Sequence, residues 1–280
     1  MINTVKNDIL EISASAFGAE LQSVKYKGEE LLWQDTEGIW NAHSPILFPI
    51  VGRLKNDRFT VDGKEYVLTK HGFARDSEFS LERIEKDLLS FVLVSNDSTR
   101  AVYPYDFQLR VTYTLGSDGI TMSYQVLNTS DRTMYFSMGA HPAFSIQMGD
   151  YLEFEKVENA DALFVNENSY ISRRIPYLVN TNKMTVESDT FADGAVIFNG
   201  LKSRSVTLNT RTHKIKVDYA DATYLGIWAK RGAPYVCIEP WFGVNDFADT
   251  DYDFSEKPGI LALDAGGCFD YSVKISFEKI

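Results

Sequence analysis

The chain has few of the residues from which many well-known sites are built. Its 280 residues include 2 cysteines and 4 histidines. Cys237 and Cys268 lack CxxC spacing, so the sequence predicts neither a disulfide framework nor a metal site, and we expect both thiols to be buried. No GxSxG, HExxH or phosphate-binding glycine loop occurs, so no common nucleophile, metalloprotease or nucleotide-binding motif is present.

Positive charge and long apolar runs are also scarce. Lys and Arg number 28 against 39 Asp and Glu, which gives a net charge of −11 without a basic cluster. Nucleic acid and anionic membranes are therefore poor partners. No apolar run approaches the ~20 residues of a membrane span, and residues 1–11 lack the apolar segment of a signal peptide. We expect a cytoplasmic protein that binds a small molecule, and the sequence predicts no oligomeric state.

The acidic stretch 246–253 has the alternating aspartates of a calcium loop, Asp249, Asp251 and Asp253. An EF-hand loop needs Gly at its sixth position and Glu at its twelfth, whereas this chain has Phe254 and Ile260 there. The sequence therefore predicts a solvent-exposed loop and no metal.

Two-residue alternation is the strongest periodic signal. Apolar and polar residues alternate over 107–115 and again over 120–126, with the turn 116–119 between them. This pattern predicts a long antiparallel hairpin. The turn Asp62-Gly63 predicts a second hairpin from 58–61 and 65–69, and the same texture recurs at 89–95, 134–138, 205–209, 214–219 and 273–277. Helical patterns are few and no linker interrupts the chain, so we expect an all-β sandwich in one domain, residues 1–280.

Two residues suggest acid and base chemistry. Glu239 ends the apolar run 235–238 and precedes Pro240, which favours an extended backbone and a fixed carboxylate. His141 likewise stands at a predicted strand end before Pro142. Since a histidine titrates near neutrality, the pair could supply an acid and a base together. A structural glutamate paired with Arg or Lys is the alternative.

The other histidines carry weaker signals. His71 precedes Gly72 after a strand, where glycine permits close approach of a backbone or ligand, although a hydrogen-bonded turn histidine fits as well. His213 is in phase with an apolar strand face, which favours a structural role at a strand end. His43 is either a loop residue near the site or a residue without a function there.

Five motifs in order resemble those of the aldose 1-epimerases, or galactose mutarotase-like proteins, most closely the LacX-like branch. They are residues 44–53 (SPILFPIVGR), 71–75 (HGFAR), 139–144 (GAHPAF), 237–241 (CIEPW) and 257–259 (KPG). The resemblance spans nearly the whole chain. It implies a large antiparallel β-supersandwich with an open cleft that binds a free aldose, and interconversion of its α and β anomers without metal or organic cofactor.

The resemblance also implies roles for single residues. Glu239 matches the base that takes the proton of the C1 hydroxyl, and His141 matches the acid that protonates the ring oxygen. Arg53 and His71 match residues that bind the sugar. Asp193 is the candidate for an aspartate that grips sugar hydroxyls.

Departures from the family pattern concern the sugar. Pro240-Trp241 follows the base here, whereas better-known galactose mutarotases have Glu-Thr-Gln-like residues. Trp228 and Trp241 could stack on a sugar face, with a core role as the alternative. Arg75 resembles an arginine of hexose-6-phosphate mutarotases that holds the phosphate, so a phosphorylated sugar is a second candidate substrate. A non-catalytic sugar-binding or sensor protein is the remaining alternative.

Overall fold

The computed structural model describes residues 1–280, and they form an almost entirely antiparallel β structure. The strands in chain order are β1 (Ile2–Lys6), β2 (Leu10–Ser15), β3 (Leu21–Tyr26), β4 (Glu29–Glu30), β5 (Ile46–Leu47), β6 (Arg58–Val61), β7 (Lys64–Val67), β8 (Ser80–Glu85), β9 (Leu88–Val94), β10 (Phe107–Leu115), β11 (Gly119–Asn128), β12 (Met134–Phe136), β13 (Met138–Ala140), β14 (Ala143–Ser145), β15 (Tyr151–Val165), β16 (Ile171–Thr185), β17 (Val196–Asn199), β18 (Ser205–Asn209), β19 (His213–Asp218), β20 (Tyr224–Trp228), β21 (Tyr235–Phe242), β22 (Leu261–Leu263) and β23 (Cys268–Lys279). Helices are α1 (Asp97–Val102) and 3₁₀ turns at Lys55–Asp57, Ala74–Asp76 and Phe254–Glu256. None of them has the length and hydrophobicity needed to span a bilayer.

One large sheet organises the chain. Its order is β5-β13-β21-β20-β17-β15-β18-β19-β23-β11-β10-β9-β8, with β14 also on β21 and β16 on β15. A four-stranded sheet, β1 to β4, and two hairpin-sized sheets, β6-β7 and β12-β22, complete the fold. The all-β sandwich predicted from the alternating pattern is confirmed.

In the predicted hairpin of β10 and β11, the alternating apolar residues are the buried ones. Along β10, Phe107 and every second residue after it are buried, whereas Gln108 and its counterparts are partly exposed. β10 pairs with β11 from Phe107 opposite Asn128 to Leu115 opposite Ile120. β6 and β7 pair around Asp62-Gly63, as predicted. Because a one-residue slip would turn each apolar side chain to the wrong face, this burial also sets the register.

The longest hairpin was not predicted. β15 and β16 pair along Tyr151–Val165 and Ile171–Thr185, with register shifts that interrupt the alternation. Exposed residues dominate β16, including Pro176 in its middle. Bulges and an edge position remove the period-two signal from which such strands are recognised.

Strand β21 contributes residues to two apolar core clusters. The larger cluster runs through nearly all strands and includes Phe107, Tyr113 and Cys237. The smaller cluster contains Trp241 with six aliphatic residues: Leu47, Val51, Leu163, Ile171, Ile197 and Val244. β21 therefore joins the two clusters, and all eight of its residues are buried.

Two predictions about charged and sulfur-containing residues are wrong in part. Asp249, Asp251 and Asp253 are exposed, as expected for a loop, but Asp246 is buried and its Oδ1 accepts a 2.6 Å hydrogen bond from Lys257. A buried cation eleven residues away is what allows this carboxylate to leave water. Cys237 is buried as predicted, whereas Cys268 is exposed because it begins β23 at the sheet surface.

Candidate active site

Strand pairing places Glu239 at the centre of the site. On one side of β21, Gly226 of β20 lies opposite Glu239. On the other side β21 pairs with two short strands, β13 opposite residues 241–242 and β14 opposite residues 235–237. The interruption between β13 and β14 therefore falls beside Glu239.

His141 and Pro142 occupy that interruption. Proline has no N–H for the ladder, so a strand that contains it must break or bulge there. This segment is nonetheless hydrogen-bonded to β21, because the carbonyl of Pro142 accepts a 3.1 Å hydrogen bond from the N–H of Ile238. Residues almost a hundred positions apart in sequence are thus brought side by side by two strand registers.

The side chains of His141 and Glu239 are in contact. Nε2 of His141 lies 3.0 Å from Oε2 of Glu239, and both side chains are more than nine-tenths buried. Although the two atoms lie within ion-pair distance, Oε2 makes no hydrogen bond, and neither does Nδ1 of His141. Buried polar atoms without partners are costly, and such atoms mark places that bind ligands.

His71 approaches the pair from a separate loop. Its ring centroid lies 6.0 Å from that of His141, at an angle of 85°. Nδ1 accepts a 3.1 Å hydrogen bond from the backbone N–H of Gly52. Burial, together with the nearby Lys70, His141 and Arg75, lowers the pKa of His71 well below its usual value. His71 is therefore neutral, with its proton on Nε2.

The backbone at His71-Gly72 is bound tightly to the neighbouring segment. Both residues have positive φ, +69° and +72°. A Cβ on Gly72 would lie 2.3 Å from the carbonyl oxygen of Phe48, which accepts hydrogen bonds from the N–H groups of Phe73 and Ala74. Glycine is required at position 72 by close packing of two backbones, which confirms the structural part of the expectation from the sequence.

A cavity of about 710 Å³ lies over these residues. His71, His141 and Glu239 line it, as do Arg75, Trp228 and Trp241. The volume lies within the range of about 300 to 1,000 Å³ that is usual for small-molecule sites. The structure thus brings six of the eight predicted site residues to one cavity.

Arg53 and Asp193 do not line the cavity. Arg53 is bound through two hydrogen bonds of 2.7 and 2.8 Å to Asp57. Asp193 is exposed and lies 3.1 Å from Arg173, although its neighbours Gly194 and Ala195 do reach the cavity wall. Both side chains are paired with counter-ions, and the sugar contacts predicted for Arg53 and Asp193 stay predictions.

Aromatic rings form one wall around His141. Trp40 lies with its ring centroid 5.3 Å from that of His141, and Trp228 lies 5.8 Å from it. Trp40 also stacks on Tyr235 at 5.3 Å. Trp40 was missed by the sequence analysis because it stands in a strandless segment with no motif around it, and its only signal was that the chain has 4 tryptophans.

Lys70 was also missed, although it directly precedes the motif that contains His71. It is an exposed residue on the cavity wall. Desolvation by the wall lowers the pKa of Lys70, the charge of Glu239 acts in the opposite direction, and Arg75 adds to the lowering. Lys70 and Arg75 thus place two cationic side chains on a cavity wall that also carries Glu20, Asp76 and Glu239.

Trp241 has a packing role and a free donor. A Cβ on Gly226 would lie 2.6 Å from its indole ring, and one on Gly139 would lie 2.5 Å from it. The ring thus fills the space that two glycines leave on the flanking strands. Its Nε1 is buried without a partner, which leaves one N–H for a ligand at the cavity edge. The core role and the ligand role predicted as alternatives for Trp241 are compatible here.

A family model described as Aldose 1-epimerase matches residues 1–247. The chain belongs to the aldose 1-epimerase family. Members of this family are isomerases that act on carbohydrates, so the family implies a sugar substrate.

Relatives of known sequence or structure agree with this membership. The plasmid-encoded protein LacX of Lactococcus lactis subsp. lactis is 33% identical over 279 aligned residues, which cover 92% of this chain and 93% of LacX. A galactose mutarotase related enzyme from Lactobacillus acidophilus is 34% identical, with a TM-score of 0.94 over 99% of this chain and 97% of its own. A galactose mutarotase-like protein from Lactobacillus casei ATCC 334 is 28% identical, also with a TM-score of 0.94, over 99% of this chain and 100% of its own. The resemblance seen in the motifs is confirmed, including the LacX-like branch.

Proposed function

We propose that this member of the aldose 1-epimerase family is a mutarotase that interconverts the α and β anomers of a hexose by acid and base catalysis. The contact of 3.0 Å between His141 and Glu239 carries the proposal. Opening the ring requires a base at the C1 hydroxyl and an acid at the ring oxygen, and both oxygens are bonded to C1. The acid and the base must therefore lie side by side, as these two side chains do.

In the proposed reaction the carboxylate of Glu239 takes the proton of the C1 hydroxyl while His141 gives a proton to the ring oxygen. The bond between C1 and the ring oxygen breaks and the aldehyde forms. After rotation about C1–C2, the ring oxygen attacks the other face, His141 recovers its proton and Glu239 returns the other. Each positioned proton transfer contributes about 10² to 10⁴ in rate. The protons move only between the two side chains and the sugar, and the broken C–O bond re-forms within the sugar, so the proposed reaction uses no cofactor.

His71 supports this chemistry as a neutral donor. Gly52 holds Nδ1, so Nε2–H is left to bind an oxygen of the sugar. A neutral donor can remain bound to the sugar without competing with His141 for a proton. The rings of Trp40 and Trp228 offer apolar faces beside the reacting centre.

The test is anomer relaxation with a matched variant. α-Glucose and α-galactose are followed by polarimetry or NMR exchange for the wild type, for Glu239→Gln and for Glu167→Gln, which changes an exposed glutamate in the turn between β15 and β16. We expect Glu239→Gln to lose about 10² to 10⁴ in kcat with little change in sugar affinity, and Glu167→Gln to behave as the wild type. A wild type that binds these sugars but does not exceed the buffer rate would instead favour a non-catalytic sugar-binding or sensor protein.

A hexose 6-phosphate is the second candidate substrate, favoured by the two cations on the cavity wall. Lys70 and Arg75 both line the cavity, and neither is held by a bidentate counter-ion: the nearest carboxylate oxygen to Nε of Arg75 is 3.5 Å away, on exposed Asp76. Rates with glucose and glucose 6-phosphate are compared in the wild type and in Lys70→Met. If the phosphate is bound here, Lys70→Met should raise KM for the phosphorylated sugar by about tenfold and leave that for glucose unchanged. Equal changes in KM for both sugars would show that Lys70 does not bind the phosphate.

A further inference from the structure

Cys237 stands next to the acid and base pair, and the proposed reaction does not use it. Side chains alternate along a strand, so Cys237 and Glu239 project from the same face of β21. The thiol sulfur of Cys237, one nitrogen of His141 and one carboxylate oxygen of Glu239 all lie within 4.8 Å of one another, and all three residues are buried.

We propose that Cys237, His141 and Glu239 form a binding site for a thiophilic divalent cation such as Zn²⁺, and that the bound ion inhibits the enzyme by occupying its acid and base. The site itself rests on the geometry alone, whereas the inhibition rests on the proposed function. The ion would be an inhibitor and not a cofactor, since it takes the two groups that must move protons.

The distances suit such an ion after small side-chain movements. Zinc binds thiolate sulfur at about 2.3 Å and histidine nitrogen or carboxylate oxygen at about 2.0 to 2.2 Å, so tetrahedral ligand atoms lie roughly 3.3 to 3.7 Å apart. His141 Nε2 and Glu239 Oε2 are already 3.0 Å apart. Because the sulfur lies within 4.8 Å of both atoms, it needs to approach by at most about 1 Å, which a χ1 adjustment can provide. Because His141 and Glu239 line the cavity, the fourth position would face it and stay open to water.

One ligand atom of the proposed site is buried and lacks a partner. Oε2 of Glu239, which lies 3.0 Å from Nε2 of His141, has no hydrogen bond. A cation at Glu239 would satisfy the buried carboxylate oxygen and compensate its charge, which the nearby aromatic wall does not do. On binding, the S–H bond of Cys237 breaks, the sulfur–metal bond forms and the proton leaves to the buffer.

The ligand types also predict which ions bind. One sulfur, one imidazole and one carboxylate favour Zn²⁺ and Co²⁺, whereas Mg²⁺ and Ca²⁺ require oxygen ligands. The thiol and the imidazole therefore distinguish this site from an ordinary acidic cluster, which would bind Mg²⁺ or Ca²⁺.

Cobalt is the probe for the test, because a thiolate ligand gives Co²⁺ a charge-transfer band in the near ultraviolet whether or not the protein is active. We expect the band in the wild type and in Cys268→Ser, which removes the exposed thiol, and its loss in Cys237→Ser. Zn²⁺ should displace the cobalt and abolish the band, whereas Mg²⁺ should not. A band that is absent from the wild type, or that survives in Cys237→Ser and disappears in Cys268→Ser, would overturn the site.

Two further measurements complete the test. Glu239→Gln removes a charged ligand without touching the thiol, and it should weaken Co²⁺ binding by about tenfold or more; an unchanged affinity would contradict the three-ligand site even if Cys237→Ser fails to fold. Zn²⁺ should slow anomer relaxation by the wild type, and its inhibition constant should rise about tenfold or more in Cys237→Ser. If cobalt binds as described but the wild type has no mutarotase rate, the proposed function fails and the metal site stands.

Discussion

The backbone N–H of Gly52 donates to Nδ1 of His71 over 3.1 Å, while the N–H of His71 donates to the carbonyl of Gly52 over 2.8 Å. This reciprocal pair fixes both the ring orientation and the tautomer of His71. The histidine can therefore only donate from Nε2 toward the cavity, and it is neutral because burial lowers its pKa. His71 is thus oriented to donate into the cavity, and in the proposed reaction His141 is the histidine that transfers a proton.

The first prediction follows from that donor. His71→Phe keeps a ring of similar size but removes Nε2–H, so kcat/KM should fall by about tenfold to a hundredfold, as for the loss of one hydrogen bond to a buried ligand. Steady-state anomer relaxation measures this, with circular dichroism to confirm folding. His213→Phe is the control, because His213 lies at the start of β19 against Glu29 and outside the cavity. Equal losses in both variants would remove His71 from the site.

The second prediction concerns stability against pH. The folded-state pKa of His71 is lowered, so below the unfolded value of about 6.5 the unfolded chain binds a proton that the folded chain does not. The free energy of unfolding should therefore fall as the pH drops from about 7.5 to 5.5, with a slope from this residue of up to about 1.4 kcal/mol per pH unit. Urea unfolding of the wild type and His71→Phe across this range tests it. If the wild type and His71→Phe show the same dependence of unfolding free energy on pH, the pKa of His71 is not lowered in the folded protein.

The third prediction concerns Trp241 and Gly226. A Cβ on Gly226 would approach Cζ2 and Cη2 of Trp241 to 2.6 Å, and a rigid ring that is 3% exposed has little room to move. Gly226→Ala should cost about 1 to 3 kcal/mol of stability and displace the ring beside Glu239. The double variant Gly226→Ala/Trp241→Phe should recover part of this loss, because the smaller ring leaves space for the methyl group. Additive losses in thermal melts would show that the two residues do not compete for one volume.

The fourth prediction concerns the buried ion pair of Lys257 and Asp246. Nζ of Lys257 donates to Oδ1 of Asp246 and to the carbonyl of Val244, each over 2.6 Å, and Oδ2 of Asp246 accepts from the backbone N–H of Lys55. Lys257→Met would leave a buried carboxylate without its cation, so unfolding free energy should fall by about 3 to 5 kcal/mol.

Two controls accompany this variant. Asp246→Asn/Lys257→Met removes both charges but keeps an acceptor for Lys55, so it should be more stable than Lys257→Met alone. Lys214→Met breaks an exposed ion pair with Glu278 and should change stability by no more than about 1 kcal/mol. A Lys257→Met protein as stable as Lys214→Met would show that Asp246 is not truly desolvated.

Local patterns were enough to predict much of the fold. The hairpin β10-β11 alternates without interruption and one of its faces is buried, so its existence and register could be inferred. The hairpin β15-β16 could not be inferred, because its bulges and exposed faces follow no period. Likewise the sequence predicted burial for both Cys237 and Cys268. Only their positions in the folded sheet make Cys237 buried and Cys268 exposed.

The candidate site shows the same division. Residues with unusual local context, Glu239 and His141 before prolines and His71 before glycine, could be identified from the sequence, and so could Trp241 as their neighbour. Trp40 and Lys70 could not, because an isolated aromatic or lysine in a loop has many equivalent positions. Arg53 matched a family motif, yet Asp57, only four residues away, binds its guanidinium.

The amino-acid sequence by itself determined the β architecture, the family and the types of group available for acid and base chemistry, because these depend on periodicity and on short motifs. Only the tertiary structure decided which of those groups meet. The registers of β13 and β14 on β21 place Nε2 of His141 3.0 Å from Oε2 of Glu239. They also bring His141 close to Cys237, which lies on the same strand as Glu239. Those registers are set by the packing of distant strands into one core, and no local stretch of sequence contains that information.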